Sequence, residues 1–216
     1  MKMKIKFIIT AIAIAFSVNV FSQIKPSLNV ALVSKYIWRG QDLGGVSIQP
    51  TLQLNSGGFY VGAFGSVGFE EANNKELDLY AGYTYKLLTI GFTDYYSTST
   101  GAEYGKWDFG HGNHVGEVGL GLDFKLFALN GYTNVYGDKD YSPYIELSSP
   151  FRLGDLNFKA YAGVVPIESK YYKTDGFGLT NLSLRAEKQV KGFPVFGQVV
   201  FNTAADAAYF VAGVTF

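Results

Sequence analysis

From Val46 to Asn55 every second residue is apolar: Val46, Ile48, Pro50, Leu52 and Leu54 alternate with Ser47, Gln49, Thr51, Gln53 and Asn55. A period of two belongs to an extended strand, whose successive side chains point to opposite faces. The division recurs along the chain. Leu28, Val30, Leu32, Tyr36 and Trp38 oppose Asn29, Lys35 and Arg39, and Leu77, Leu79, Ala81, Tyr83 and Tyr85 oppose Glu76, Asp78, Tyr80 and Thr84. Val118, Leu120, Leu122 and Phe124 oppose Glu117 and Asp123, while Leu156, Phe158, Ala160, Ala162 and Val164 oppose Asn157, Lys159 and Tyr161. Thr180, Leu182, Leu184 and Ala186 oppose Asn181, Ser183, Arg185 and Glu187. After residue 22 no run approaches the ~18 consecutive apolar residues of a spanning helix, and no long stretch keeps a 3.6 period. The chain is therefore all-β.

The alternation predicts twelve strands, with ten or fourteen as the neighbouring counts: 28–38, 46–54, 58–68, 75–85, 87–96, 114–124, 126–136, 142–150, 156–165, 179–188, 194–202 and 207–216. The connections differ by parity. Odd ones are longer (40–45, 70–74, 97–113, 137–141, 166–178, 203–206), whereas even ones are mostly tight, as at Asn55-Ser56-Gly57, Lys86 and Lys125. An even count, short turns at one end and longer loops at the other describe a single closed antiparallel up-and-down transmembrane β-barrel.

Composition separates this from a secreted soluble barrel. Only 17% of residues are charged against roughly 25% in soluble domains, and mean hydropathy is +0.09. The polar face carries Ser, Thr, Gln, Asn, Tyr and Gly with scattered charges, where a water-facing surface would hold ~25–35% Lys, Arg, Glu and Asp. It suits a crowded wet interior, leaving the apolar face for lipid and the aromatics near strand ends for the two rims. Closure also removes unpaired strand edges, which hydrocarbon cannot solvate. The N-terminus agrees with export. Lys2, Lys4 and Lys6 precede an apolar run from Phe7 to Phe16 and the junction Phe21-Ser22, as in a secretory signal peptide over 1–22. Eighteen basic residues balance eighteen acidic ones; the leader removes three lysines and no acids, which leaves the barrel, 23–216, at −3. The absence of Cys and of any cationic excess excludes a disulfide scaffold and a nucleic-acid binder.

Two segments add specificity. Residues 207–216 place Ala208, Phe210, Ala212, Val214 and Phe216 on one face, and the terminal Phe216 resembles the assembly signal of outer-membrane proteins, which the barrel assembly machinery reads. The stretch 29–40, with Tyr36, Arg39 and Gly40, and the stretch 76–83, with Asp78, Tyr80 and Gly82, resemble the TorF porin family, Gram-negative outer-membrane β-barrels of the Gcw_chp type. The chain departs from the common family pattern at Lys35, where many members carry Asp. The resemblance implies an outer-membrane channel and no defined substrate or catalytic residue.

Parity turns ten charges inward: Lys35, Arg39, Lys159 and Arg185 against Glu76, Asp78, Glu117, Asp123, Glu146 and Glu187. Four positive and six negative groups lining a lumen predict weak ion selectivity. Eight strands are filled by their own side chains and sixteen leave a channel, so twelve permit either a narrow pore, the favoured reading, or a salt-bridged plug. The loop 97–113, with Tyr104, Trp107 and Phe109, could fold inward as a constriction, which the sequence leaves open. Its histidines His111 and His114 are read as solvated, because no carboxylate or Cys has metal-ligand spacing with them. Glycines 116–121 lack the strand-to-helix context of a phosphate loop. The expectation is a non-enzymatic porin without cofactor or metal, embedded in outer-membrane lipid and passing small polar solutes. The alternative is a closed barrel with a structural or surface-binding role through its loops.

Overall fold

A computed structural model describes residues 24–70, 75–98, 104, 106–107 and 113–216. The leader expected at 1–22, together with Phe109 and His111, lies outside the described residues. Alternating β-formers separated by turn residues build fourteen strands: β1 (Lys25–Val33), β2 (Tyr36–Trp38), β3 (Gln41–Gly44), β4 (Ser47–Ser56), β5 (Phe59–Gly68), β6 (Glu76–Tyr85), β7 (Leu88–Ser97), β8 (His114–Asp123), β9 (Ala128–Tyr136), β10 (Pro143–Leu153), β11 (Leu156–Val165), β12 (Gly178–Val190), β13 (Phe193–Asn202) and β14 (Ala207–Thr215).

Twelve of them, β1 and β4 to β14, close an antiparallel barrel in which every strand pairs with its neighbours in order. No helix occurs among the described residues. The ring closes where β1 meets β14 over a short register, Ala31↔Thr215 to Val33↔Gly213, extended by mutual backbone hydrogen bonds between Val30 and Phe216. The opposite edge of β1 pairs β4 along its whole length, from Lys25↔Asn55 to Val33↔Ser47.

Polarity is inverted relative to a soluble barrel. Leu28 is 66% exposed and Phe210 65% on the outer face, while Ser148 at 2% and Asn134 at 0% are buried. The wall thus shows an apolar exterior around a polar interior. The start of β1, the end of β14 and the tight turns lie at one end, here the turn end, and the longer connections lie at the other, the loop end. Two of those turns are two-residue hairpins, Gly57-Gly58 and Lys191-Gly192, with positive φ at both positions. That is the backbone whose twist matches the flanking strands.

One expected strand is corrected. The first was read as 28–38, but β1 stops at Val33, bends at Ser34-Lys35, and residues 36–44 form the separate two-stranded hairpin β2–β3. Tyr36 and Trp38 resume the parity of Leu28, Val30 and Leu32 after the one polar interruption at Ser34, so periodicity alone does not reveal the bend. The hairpin has its own two-residue turn, Arg39-Gly40, with φ of 49° and 80°.

Candidate functional site

The hairpin lies inside the barrel. Ile37 packs against Val33, Phe196 and Val211, an apolar patch on the inner wall of β1, β13 and β14. Tyr36 packs on Phe64 with ring centroids 6.1 Å apart, and its hydroxyl hydrogen-bonds to Glu76. At the tip, the Asn202 amide donates to the Gly40 carbonyl at 3.1 Å, and the Thr180 carbonyl occupies the space that a Cβ on Gly40 would need. At the base, Lys35 pairs with Asp42 at 2.7 Å. A twelve-stranded ring encloses more space than its own side chains fill. The hairpin takes up that surplus.

Its tip carries Arg39 across the lumen to the inner wall of β8, β9 and β10. The guanidinium donates to both Glu117 oxygens, at 2.5 and 2.9 Å, and to the Tyr172 hydroxyl at 2.5 Å. It lies 4.4, 4.1 and 4.5 Å from the ring centroids of Trp38, Tyr132 and Tyr144. Tyr95 donates to Glu117 at 2.9 Å, and Trp38 and Tyr144 stack on Tyr172. The side chains of Arg39 and Glu117 are only 8% and 2% exposed. A two-pronged guanidinium–carboxylate pair is the geometry in which Arg gains most, and the desolvated ring faces add cation–π attraction.

Cavities flank this pair along the barrel axis. One of about 750 Å³ at the turn-end mouth is lined by Lys25, Gln53, Asn55, Tyr60 and Thr89. Tyr60 and Thr89 also line the next, of about 290 Å³, with Asp123, Asn130, Glu117 and Tyr132. Glu117 and Tyr132 then border a third, of about 430 Å³, with Arg39, Glu146, Asn181 and Gln198. Beyond the hairpin, a cavity of about 210 Å³ is lined by Trp38, Gln41, Glu76 and Tyr171. Open space thus runs from the turn end to Arg39, most polar in the cavity that Arg39 itself borders, and resumes on its far side.

The ten charges read as inward are placed as follows. Glu76, Asp78, Glu117, Asp123, Glu146, Lys159, Arg185 and Glu187 stand on the inner face of the wall. Arg39 reaches the lumen from the hairpin and not from a wall strand. Lys35 stands in the bend at the loop end and not on a wall strand, because the strand it was assigned to ends two residues earlier; it pairs with Asp42 and lies over the Tyr209 ring. Arg185 pairs with Glu187 at 2.8 Å and lies over the Phe196 ring, and Lys159 lies over Tyr161. Glu146 accepts from Tyr144 at 2.9 Å. The two stretches that carried the family resemblance meet: Tyr36 of one bonds Glu76 of the other, Tyr80 donates to Gln53 at 3.1 Å, and Gly82 leaves room for the Tyr60 ring. Phe216 packs its ring on Phe193, centroids 5.3 Å apart.

Of the loop 97–113, left open as a constriction, residues 97–98, 104, 106–107 and 113 are described. Tyr104 and Trp107, from the loop after β7, pack on the outer face of the wall, where Trp107 stacks on the His114 ring at 3.9 Å. His114 is fully buried and not solvated, since the Tyr104 and Trp107 rings cover it. Its Nδ1 faces both Asp94 oxygens, at 2.9 and 3.0 Å, and its Nε2 faces the Tyr104 carbonyl at 2.5 Å. The carbonyl holds the position a nucleophilic hydroxyl would need, so the Asp94–His114 pair has the geometry of a clasp and not of a catalytic dyad. Among the described residues, no group of three or more His, Cys, Asp or Glu could hold a metal ion.

Sequence reasoning found Arg39 and Glu117 separately and missed that they pair. It also missed Tyr95, Tyr132, Tyr144 and Tyr172 as a cluster. The available signal was the Arg-Gly turn, which has the same two-residue positive-φ form as the hairpin turns at 57–58 and 191–192.

No protein of curated description matches the chain. Among solved structures, a mutant of the Rh. blastica porin is similar with a TM-score of 0.46 and 13% identity, over 90% of this chain and 73% of that one. Residues 19–215 match the profile of Gcw_chp, described as a bacterial protein of unknown function. The chain belongs to the Gcw_chp family.

Proposed function

We propose that this protein is a porin-like barrel of the Gram-negative outer membrane, of the TorF type, allowing passive diffusion of small hydrophilic solutes and ions. In this reading a signal peptide directs export, the assembly machinery inserts the barrel with its turn end in the periplasm, and the apolar outer face meets lipid. The protein works without cofactor or catalysis. The observation that carries the reading is the run of cavities along the axis, interrupted at the one level where the β2–β3 hairpin places Arg39 against Glu117. A pore whose wall is intact and whose barrier is a removable insert is built to be narrow and not sealed.

Planar-bilayer recording tests it. The wild type is expected to show small, weakly cation-preferring conductance, and replacement of residues 36–44 by a short Gly-Ser turn to raise it severalfold. No current from either protein, in preparations shown to be inserted, overturns the channel reading. The exposures of 8% and 2% at Arg39 and Glu117 favour the second reading, a closed barrel acting through its loops. A silent wild type beside a conducting hairpin-deleted barrel would select it.

A further inference from the structure

Arg39 is held as a ligand is held. Of the groups around its guanidinium, only Trp38 belongs to the hairpin. Glu117 comes from β8, Tyr132 from β9, Tyr144 from β10 and Tyr172 from the loop after β11. These wall groups form a complete receptor for a planar cation: a two-pronged carboxylate, two ring faces, and a phenol oxygen. Remove the side chain of Arg39 and the receptor remains, opening onto cavities of about 290 and 430 Å³.

The charge around it has one sign. The cavities bordering the cage on either side are lined by Glu76, Glu117, Asp123 and Glu146, and Arg39 is the one basic residue lining them among the described residues. The other inward cations are Lys25 at the turn-end mouth and those on β11 and β12, where Arg185 is already matched by Glu187. A cation approaching from the turn end passes Lys25 at the mouth and then meets Asp123 and Glu117 within one cavity.

We infer that the cage of Glu117, Tyr132, Tyr144 and Tyr172 is a recognition site for small guanidinium-bearing solutes, with Arg39 as its tethered occupant. This rests on the channel reading for its purpose, though not for its existence. A solute guanidinium that takes the cage displaces Arg39 and with it the hairpin tip, so recognition and opening become one event. The tether gives Arg39 an effective concentration in the millimolar range, which a free solute must exceed. The cage of the wild type therefore admits only abundant cations of matching shape.

The test uses the full-length mature barrel carrying Trp107→Phe, which leaves Trp38 as its one tryptophan. Methylguanidinium chloride is titrated at constant ionic strength into the Arg39→Ala variant in nanodiscs, with Trp38 fluorescence as the readout. Saturable binding is expected, at least tenfold weaker in the wild type and in Arg39→Ala/Glu117→Gln, and at least tenfold weaker for methylammonium. A non-saturable response, or equal responses to methylguanidinium and methylammonium, overturns the proposal. So does equal affinity with and without Glu117. Should the double variant not fold, Arg39→Ala/Tyr132→Leu takes its place with the same expected loss. Bilayer recording separates the two readings: binding without current in any variant keeps the cage and removes the channel, while current without saturable binding does the reverse.

Discussion

Replacing Leu52 by Arg and its neighbour Gln53 by Arg tests the assignment of faces with a single-residue shift. β4 runs for ten residues, Ser47–Ser56. At about 3.4 Å per residue and a tilt of about 40°, such a strand climbs about 26 Å, which matches the apolar band of about 25 Å on a membrane barrel. Leu52 is within about 2 Å of the strand's midpoint by the same spacing. It pairs with Leu28 and Ala63 and is 47% exposed on the outer face. Arginine at the bilayer midplane costs about 2–4 kcal/mol, a roughly 30- to 700-fold loss in the folding equilibrium. Gln53, one residue on, lines the large turn-end cavity, where the added cation stays in water. Its substitution is expected to stay within about 0.5 kcal/mol of the wild type. Reversible urea unfolding from phospholipid vesicles, followed by tryptophan fluorescence, measures both. Equal penalties, or a larger one for Gln53→Arg, would refute the outward assignment of the apolar face.

Gly40→Ala places a Cβ where the Thr180 carbonyl already lies, at a φ of 80°; a cost of about 1–3 kcal/mol should unseat the hairpin and leave the barrel intact. Trypsin cleavage after Arg39 in the folded protein reads it, and resistance equal to the wild type would count against the seating described. His114→Ala leaves Asp94 buried without its partner, for an expected loss of about 3–5 kcal/mol in urea unfolding. A loss below about 1 kcal/mol would show that the clasp carries little of the stability. Asp138, in the connection after β9, responds to acid. Burial opposes its ionisation, but hydrogen bonds from Ser142, Asn134 and the Asp140 amide outweigh this and hold its carboxyl below the usual range. A folded value below the unfolded one, near 3.9, gives a contribution that is full above that pH and lost as the pH falls through the folded value. Protease sensitivity at 137–142 should therefore rise below about pH 4, and Asp138→Asn should abolish that dependence.

The wall was legible because its cause is local. Alternation such as Ile48 to Asn55 needs no knowledge of distant residues, and the expected ranges from the second strand onward fall within three residues of the observed ends. The hairpin was not legible, because Tyr36 and Trp38 continue the alternation of β1 in phase, and only the bend at Ser34-Lys35 separates them. What holds the hairpin inside acts across the sequence. Glu117 is 78 residues from Arg39, Tyr172 is 133, and Asn202 is 162 from Gly40. Pattern within a window cannot pair such groups. His114 was misread for the same reason: its surroundings come from Asp94, one strand back, and from Tyr104 and Trp107 on the outer face of the wall.

The closing ladder joins the first strand to the last over only three paired positions, Ala31↔Thr215 to Val33↔Gly213, with Val30 and Phe216 bonded beside them. The hairpin that follows β1 directly crosses behind this seam. Its Gly40 carbonyl accepts from Asn202 at the end of β13, and its Arg39 is bonded to Glu117 of β8. The first strand is therefore held to the rest of the ring twice, once through the short ladder of the wall and once through the insert, which acts as an internal strap across the seam.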